Sequence, residues 1–366
     1  MLTLLLTQAH SLSPSSSTAI LPRQTALGIG VEMKVKVITR NSDGKQLTNG
    51  GSVVRASLTC NKKKCPVTDN DDGTYLVSVV PQQLGQHHLS ITVNGEHIKD
   101  SPFALDIRRD YTLMKEPSQI ITGIDSPLHI AFSDNGDMFV TSAGDHCIYV
   151  HDKSGNRKAI IGYWGTGNLQ FQSPYGIDIS NGVVYVAESR GNRIHMLTTG
   201  GEFIGTFGEK GSGIGQFMYP CDVKISPDGR VYVVDWDNYC VQVFNPDWTI
   251  SNVIDSSSVP EGDSFYCPKG IAFDLSGNAH VTNDSNAVSV FTSTGQFIRH
   301  YGSGTSISDG IAIDPSGYSL LVTNHHTLSV YNPSDNLVNI IGEFNHPTGV
   351  SATHTDPSGD IDTPVA

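Results

Sequence analysis

The sequence predicts an all-β chain in two parts, an immunoglobulin-like sandwich followed by a six-bladed β-propeller whose last blade is incomplete. Three observations carry this. Of 366 residues only 16% are charged, while 37 are Gly and 18 are Pro. That composition suits short strands joined by tight turns and excludes a coiled coil, a helix bundle or an acidic disordered chain. The N-terminal part alternates apolar and polar residues with period two. From about residue 111 a four-strand unit recurs, with its leading Ile/Val at 130, 177, 223, 271, 311 and 350, spaced 47, 46, 48, 40 and 39 apart.

Residues 1–16 include a Ser-rich, aperiodic stretch and are expected to be disordered. The sandwich is expected over 17–109. Val31, Met33, Val35 and Val37 share one face of an alternating strand. Asn41-Ser42-Asp43-Gly44 and Asp69-Asn70-Asp71-Asp72-Gly73 are turns, and Asn94-Gly95 marks a hairpin. Thr74 to Val79 and His88 to Val93 alternate again, giving about seven short strands.

The propeller is expected over 111–366. Each unit opens on text such as Pro174-Tyr175-Gly176-Ile177 or Pro220-Cys221-Asp222-Val223. A Gly turn follows, then a strand such as Val231 to Val234, a polar loop, a third strand such as Val241 to Phe244, and an outer strand ending in Gly. Four strands per roughly 40–45 residues is the period of a propeller blade, whose faces bury only against neighbouring blades. Five units are complete. The sixth begins at Pro347-Thr348-Gly349-Val350 and runs out at Ala366. Residues 113–122 are expected to supply its outer strand, leaving two middle strands missing and edges open, as in an incomplete gene model or a divergent terminus.

Charge is uneven. Residues 1–110 hold 12 Lys+Arg against 9 Asp+Glu, net +3, and residues 111–366 hold 11 against 27, net −16. The second part therefore carries a field that opposes a polyanion such as RNA. Six cysteines, at 60, 65, 147, 221, 240 and 267, form no CxxC and no zinc spacing. Cys60 and Cys65 could meet across a hairpin, but thiols in such numbers read more simply as cytosolic core residues. The first seven residues lack a basic n-region, and no stretch approaches the ~20 apolar residues of a membrane span. The expected location is cytoplasmic.

Val184-Tyr185-Val186-Ala187-Glu188-Ser189-Arg190-Gly191-Asn192-Arg193-Ile194 resembles the NHL repeat, as does Val231 to Tyr239. The linker Phe207 to Phe217 is similar to the family's lead-in to the next blade. Val67 to Tyr75, Gly85-Gln86-His87 and Ser101-Pro102-Phe103 resemble a filamin repeat. Filamin followed by NHL repeats resembles the C-terminal half of tripartite-motif (TRIM-NHL) E3 ubiquitin ligases. In that family a RING finger supplies ligase activity, B-boxes bind zinc and a coiled coil dimerises, and none of that text occurs here. The resemblance implies a recognition half rather than a ligase, and a monomer unless an upstream coiled coil exists.

The expected binding face carries the loops between the second and third strands and those leading into the first. Tyr175, Arg190, Arg193, Tyr219, Trp236, Asn238, Tyr239, Tyr266 and His325 are the candidates, being of types enriched in binding hot spots. The plain structural reading is that Asn and Asp there cap their own turns and the aromatics pack between blades. Counting Arg190, Arg193 and Lys269 against Glu188, Asp235, Asp237, Asp284 and Asp309 favours a protein partner over RNA, which is the alternative through the same face. Some six-bladed enzymes hold a metal in the central channel. Here Ser133, Ser180, Ser226, Asp274 and Asp314 precede Gly turns and most simply cap them, so no catalytic residue, metal or cofactor is expected.

Overall fold

The computed structural model describes residues 12–21, 27–28, 32–59, 61, 64–83, 85–108, 121–285, 287–302, 308–314, 319–323, 327–341 and 349–351. The chain divides after Asp110 into two compact units.

The first unit is a two-sheet sandwich. One sheet runs Thr18–Ile20, Met33–Ile38, Thr74–Val79, Val67–Asp69, and the other Leu27–Gly28, Phe103–Arg108, Gly85–Val93, Val54–Leu58, with Glu96–His97 on the long strand. The period-two pattern decides which side chains face inward. Met33, Val35 and Val37 are buried while Lys34 and Lys36 are exposed. Tyr75, Val77 and Val79 meet Leu89, Ile91 and Val93 in the same core. Each such side chain, fully buried, contributes about 1.5–3 kcal/mol. Tyr75 keeps its hydroxyl satisfied by accepting the Ser52 N–H at 2.8 Å. Gly73, at φ +77°, has no room for a Cβ, which would strike the Leu47 carbonyl. Val31 and Cys60 lie outside the described residues.

The second unit holds five consecutive four-stranded antiparallel sheets, each paired in chain order. Their first strands are Pro127–Phe132, Pro174–Ser180, Pro220–Ile225, Ile271–Phe273 and Ser308–Ile313. We call the sheets blades 1 to 5 and their strands a to d. Strand a meets strand b with a register shift just after its first residue in blades 1, 2, 3 and 5. Three of those strands begin with Pro, which has no N–H to offer the ladder.

Blades pack face to face. Ile177 of blade 2 is buried with Ala131, Phe139 and Ile148 of blade 1, and Ile271 of blade 4 with Val234, Val241 and Val243 of blade 3. The position before each leading Ile/Val is Gly in four of the six units, Gly176, Gly270, Gly310 and Gly349. There the chains crowd: a Cβ on Gly176 would strike Asp222, one on Gly270 the Asp309 carbonyl, and one on Gly349 the Leu128 carbonyl. The last contact joins the sixth unit to blade 1, so the ring closes on described residues. The remainder of the sixth unit lies outside them, as do residues 113–120 of the outer strand expected at 113–122; Ile121 and Thr122 are described and are not in a strand.

Candidate functional site

The face that carries the b–c turns is built by the ends of strand b. In blade 2 that end is Glu188, fully buried. Its carboxylate accepts the Gln172 N–H at 2.8 Å and Arg193 Nε at 2.7 Å, while the other Arg193 nitrogens donate to the Thr166 and Gln170 carbonyls at 3.0 and 3.1 Å. In blade 3 the equivalent residue is Asp235. It accepts the N–H groups of Met218 and Tyr219 at 3.1 and 3.0 Å and the Asn238 amide at 2.6 Å. The Asn238 amide also donates to the Gly211 carbonyl at 2.9 Å. Burial raises the pKa of Asp235 despite these donors. A carboxylate at the end of strand b thus pins the lead-in to its own blade, and an Arg or Asn a few residues later holds the linker beyond it.

This geometry corrects part of the expected site. Arg193 and Asn238 spend their donors on the fold and do not reach outward. Glu188 and Asp235 are buried and add nothing to the exposed charge. Lys269 spans Asp284 and Asp309 at 3.2 and 3.0 Å. Of the charged residues weighed for this face, Arg190, Asp237 and Asp284 are exposed. His325, with Asn324, His326 and His346, lies outside the described residues.

The aromatic candidates do come together. Tyr175, Tyr219 and Trp236 are half-buried and form a run, with ring centroids 6.4 Å apart and then 5.5 Å. They also pack on the core between blades 3 and 4. Burial, with the nearby acidic groups, raises the pKa of Tyr175. The Trp236 indole nitrogen is buried without a hydrogen-bond partner. Tyr239 and Tyr266 are the exposed members, at 39% and 49%. They stack at 4.4 Å with 27° between planes, and the Tyr266 hydroxyl donates to that of Tyr239 at 3.3 Å. That bond heads the causes that push the Tyr266 phenol up to about 12.

Around the axis, two units depart from Gly at the crowded position, and the replacements meet. His129 Nδ1 lies 3.6 Å from Asp222 Oδ1, both buried. Asp222 also accepts the Val223 and Ile271 N–H groups at 2.9 and 3.0 Å. Burial pushes Asp222 up to about 6, and burial with Lys224 nearby pulls His129 down to about 3. Lys224 lies 3.7 Å from Asp178 and donates to the Ile177 carbonyl at 2.8 Å. Ser133, Ser226 and Asp274 accept N–H groups of their own Gly turns. Among the described residues no group of three or more His, Cys, Asp or Glu could hold a metal ion, and no helix is long and apolar enough to cross a membrane.

The sequence reading missed Tyr163 and Trp164, exposed at 62% and 64%. They sit in the blade 1–2 linker, Gly162 to Phe171, built like the blade 2–3 linker, Gly208 to Phe217. In both, a left-handed Gly lies over the Phe ring, and the Gln side chain accepts a Gly N–H, at 2.8 Å in one and 3.1 Å in the other. Where the first linker has Tyr163-Trp164, the second has Glu209-Lys210 in the same parallel bridge. Laying one linker over the other would have exposed the substitution.

Comparison with known proteins places these features in a wider set. The Filamin/ABP280 repeat family matches residues 11–104 and the NHL repeat family matches residues 217–244. Tripartite motif-containing protein 2 of Homo sapiens is 26% identical over 228 residues, 62% of this chain and 24% of that protein. E3 ubiquitin-protein ligase TRIM71 of Mus musculus is 27% identical over 199 residues, 51% of this chain and 19% of that protein. The match therefore spans about a quarter of those relatives or less. A Bacteroides thetaiotaomicron protein of unknown function, 13% identical, shares the fold with a TM-score of 0.51, covering 95% of this chain and 93% of that one.

Proposed function

We propose that this chain, a filamin repeat joined to NHL repeats, is a non-catalytic recognition module that binds a protein target on the turn-bearing face of its propeller. The observation that carries the reading is the aromatic surface across blades 2 to 4, set in a part of net charge −16 whose Arg193 and Lys269 are already paired. Exposed and half-buried Tyr and Trp give large contact area at low conformational cost. A chain with the domain order of TRIM-NHL ligases would present such a target for ubiquitination, with catalysis residing in a RING domain. The filamin repeat serves as a rigid spacer.

RNA is the second reading, favoured by Tyr163 and Trp164, exposed rings of the kind on which bases stack, on the same face as Arg190. Crosslinking from cells, with protein and RNA recovered in parallel, tests both. Protein crosslinks that map to Tyr219, Trp236, Tyr239 or Tyr266 support the first reading. Recovery of RNA whose binding weakens steeply with salt, without protein, overturns it.

A further inference from the structure

The junction between blades 3 and 4 differs from its equivalents in a way the fold does not require. The last residue of the b–c turn is left-handed in blades 1, 2 and 3, with φ of 55° at His146, 55° at Asn192 and 56° at Tyr239. Asn suits that conformation, whereas an aromatic residue there is strained by about 1 kcal/mol. In blade 1 the residue reaches the next lead-in by a hydrogen bond, His146 Nδ1 accepting the Ser173 N–H at 3.1 Å. At the blade 3–4 junction, the counterpart of Ser173 is Cys267, and the contact is instead the stack of Tyr239 on Tyr266. A hydrogen bond would serve the fold, yet two rings stand here and both remain exposed.

Two carboxylates belong to the same junction. Asp237 is exposed two residues before Tyr239. The Asp284 N–H donates to the Tyr266 carbonyl at 3.0 Å, which fastens the backbone of Asp284 to that of Tyr266. Burial raises the pKa of the neighbouring Cys267 thiol, and Asp284 and, more weakly, Asp237 raise it further. Lys269 bridges Asp284 and Asp309, and with Asp237 the patch sets three carboxylates against one ammonium, net −2. The face of a phenol ring carries partial negative charge and attracts a cation, and an adjoining carboxylate adds a directed hydrogen-bond acceptor. A phosphate meets only repulsion there. A guanidinium, planar and forked, can stack on the ring and bond the carboxylate together, which an ammonium cannot.

We propose that Tyr239 and Tyr266, with Asp237 and Asp284, form a docking site for an arginine side chain of the protein partner. The inference rests on the protein-recognition reading and names the chemistry the partner brings. The test titrates the full chain, its tyrosine rings isotopically labelled, with acetyl-Gly-Arg-Gly-amide and with its citrulline counterpart, which keeps the shape and loses the charge. The Tyr239 and Tyr266 resonances, assigned with Tyr239→Phe and Tyr266→Phe, should shift with the arginine peptide and not with citrulline. The charge-silent double variant Tyr239→Leu/Tyr266→Leu should weaken the arginine peptide about 5- to 30-fold, the worth of a cation–π contact. Equal shifts with citrulline, or shifts spread over the other tyrosines, overturn the site without any variant. Protein crosslinks on this face combined with silent tyrosines sink this inference alone. Shifting tyrosines combined with crosslinks elsewhere sink the broader reading and leave the arginine site standing.

Discussion

Replacing Arg193 by Ala removes the side chain that neutralises Glu188 and ties down the blade 1–2 linker. Glu188 is fully buried, and the variant leaves it the Gln172 N–H and, 3.5 Å away, His195. An ionised carboxylate stranded in this way costs about 3–5 kcal/mol. The lost bonds to the Thr166 and Gln170 carbonyls add about 1 kcal/mol each where water does not replace them. In a unit of this size each kcal/mol lowers Tm by roughly 2–4 °C, so stranding Glu188 alone should lower the propeller transition by about 6–20 °C, and the lost carbonyl bonds add to that fall. Calorimetry of the full chain, following the propeller transition, reads this directly. Arg190→Ala, in the same turn but exposed, is the control and should leave that transition within about 1 °C. The double variant Glu188→Leu/Arg193→Met should recover most of the loss, since a buried pair replaced by apolar groups is often neutral. An Arg193→Ala loss below about 2 °C would refute the reasoning and return Arg193 to the exposed face.

Further outcomes follow from other contacts. Tyr163→Glu/Trp164→Lys writes the second linker's residues into the first and should change stability by less than about 0.5 kcal/mol by denaturant unfolding; a larger loss would mean these rings support the fold. Gly176→Ala drives a Cβ into the Asp222 backbone and should cost about 3 kcal/mol. Gly182→Ala, with open space but φ +75°, should cost about 1 kcal/mol, and equal costs would show that crowding at the axis is not the constraint. The axial pair titrates in opposition. His129, held near 3, stays neutral where the unfolded chain gains a proton below pH 6.5, so its contribution is lost on acidification. Asp222, raised to about 6, keeps a proton that the unfolded chain releases above pH 3.8, so its contribution is lost as pH rises to 6. Between pH 4 and 6 the two slopes, about 1.4 kcal/mol per pH unit each, cancel. Asp222→Asn should make stability rise with pH in that window and His129→Gln should make it fall; the same slope in both variants would contradict the assignment.

The periodic elements were legible in the sequence. Strand alternation put Met33, Val35 and Val37 on a buried face, and the recurring Pro-x-Gly-Ile start located strand a of each blade, because backbone ladders and packing faces repeat with the chain. Site residues were less legible. Arg193 and Asn238 look like surface polar residues in a loop, and only the fold reveals that the linker's carbonyls stand opposite them. Glu188 and Asp235 seemed part of an acidic rim for the same reason: a carboxylate that satisfies backbone N–H groups reads in sequence like one that faces water. His129 and Asp222 stand in the column otherwise held by Gly, so their departure was visible, but their meeting depends on non-adjacent blades.

The fastened linkers have a consequence for how such a face adapts. Gly162, Gly165 and Gln170 in one linker, and Gly208, Gly211 and Gln216 in the other, hold the same backbone path while the two residues between the first pair of glycines change from aromatic to charged. Chemistry at those positions can therefore drift without reshaping the chain beneath. A ligand that settles there also finds loops already frozen, so association forfeits little motion. Selection can then rewrite what the wheel grips while leaving the wheel itself alone.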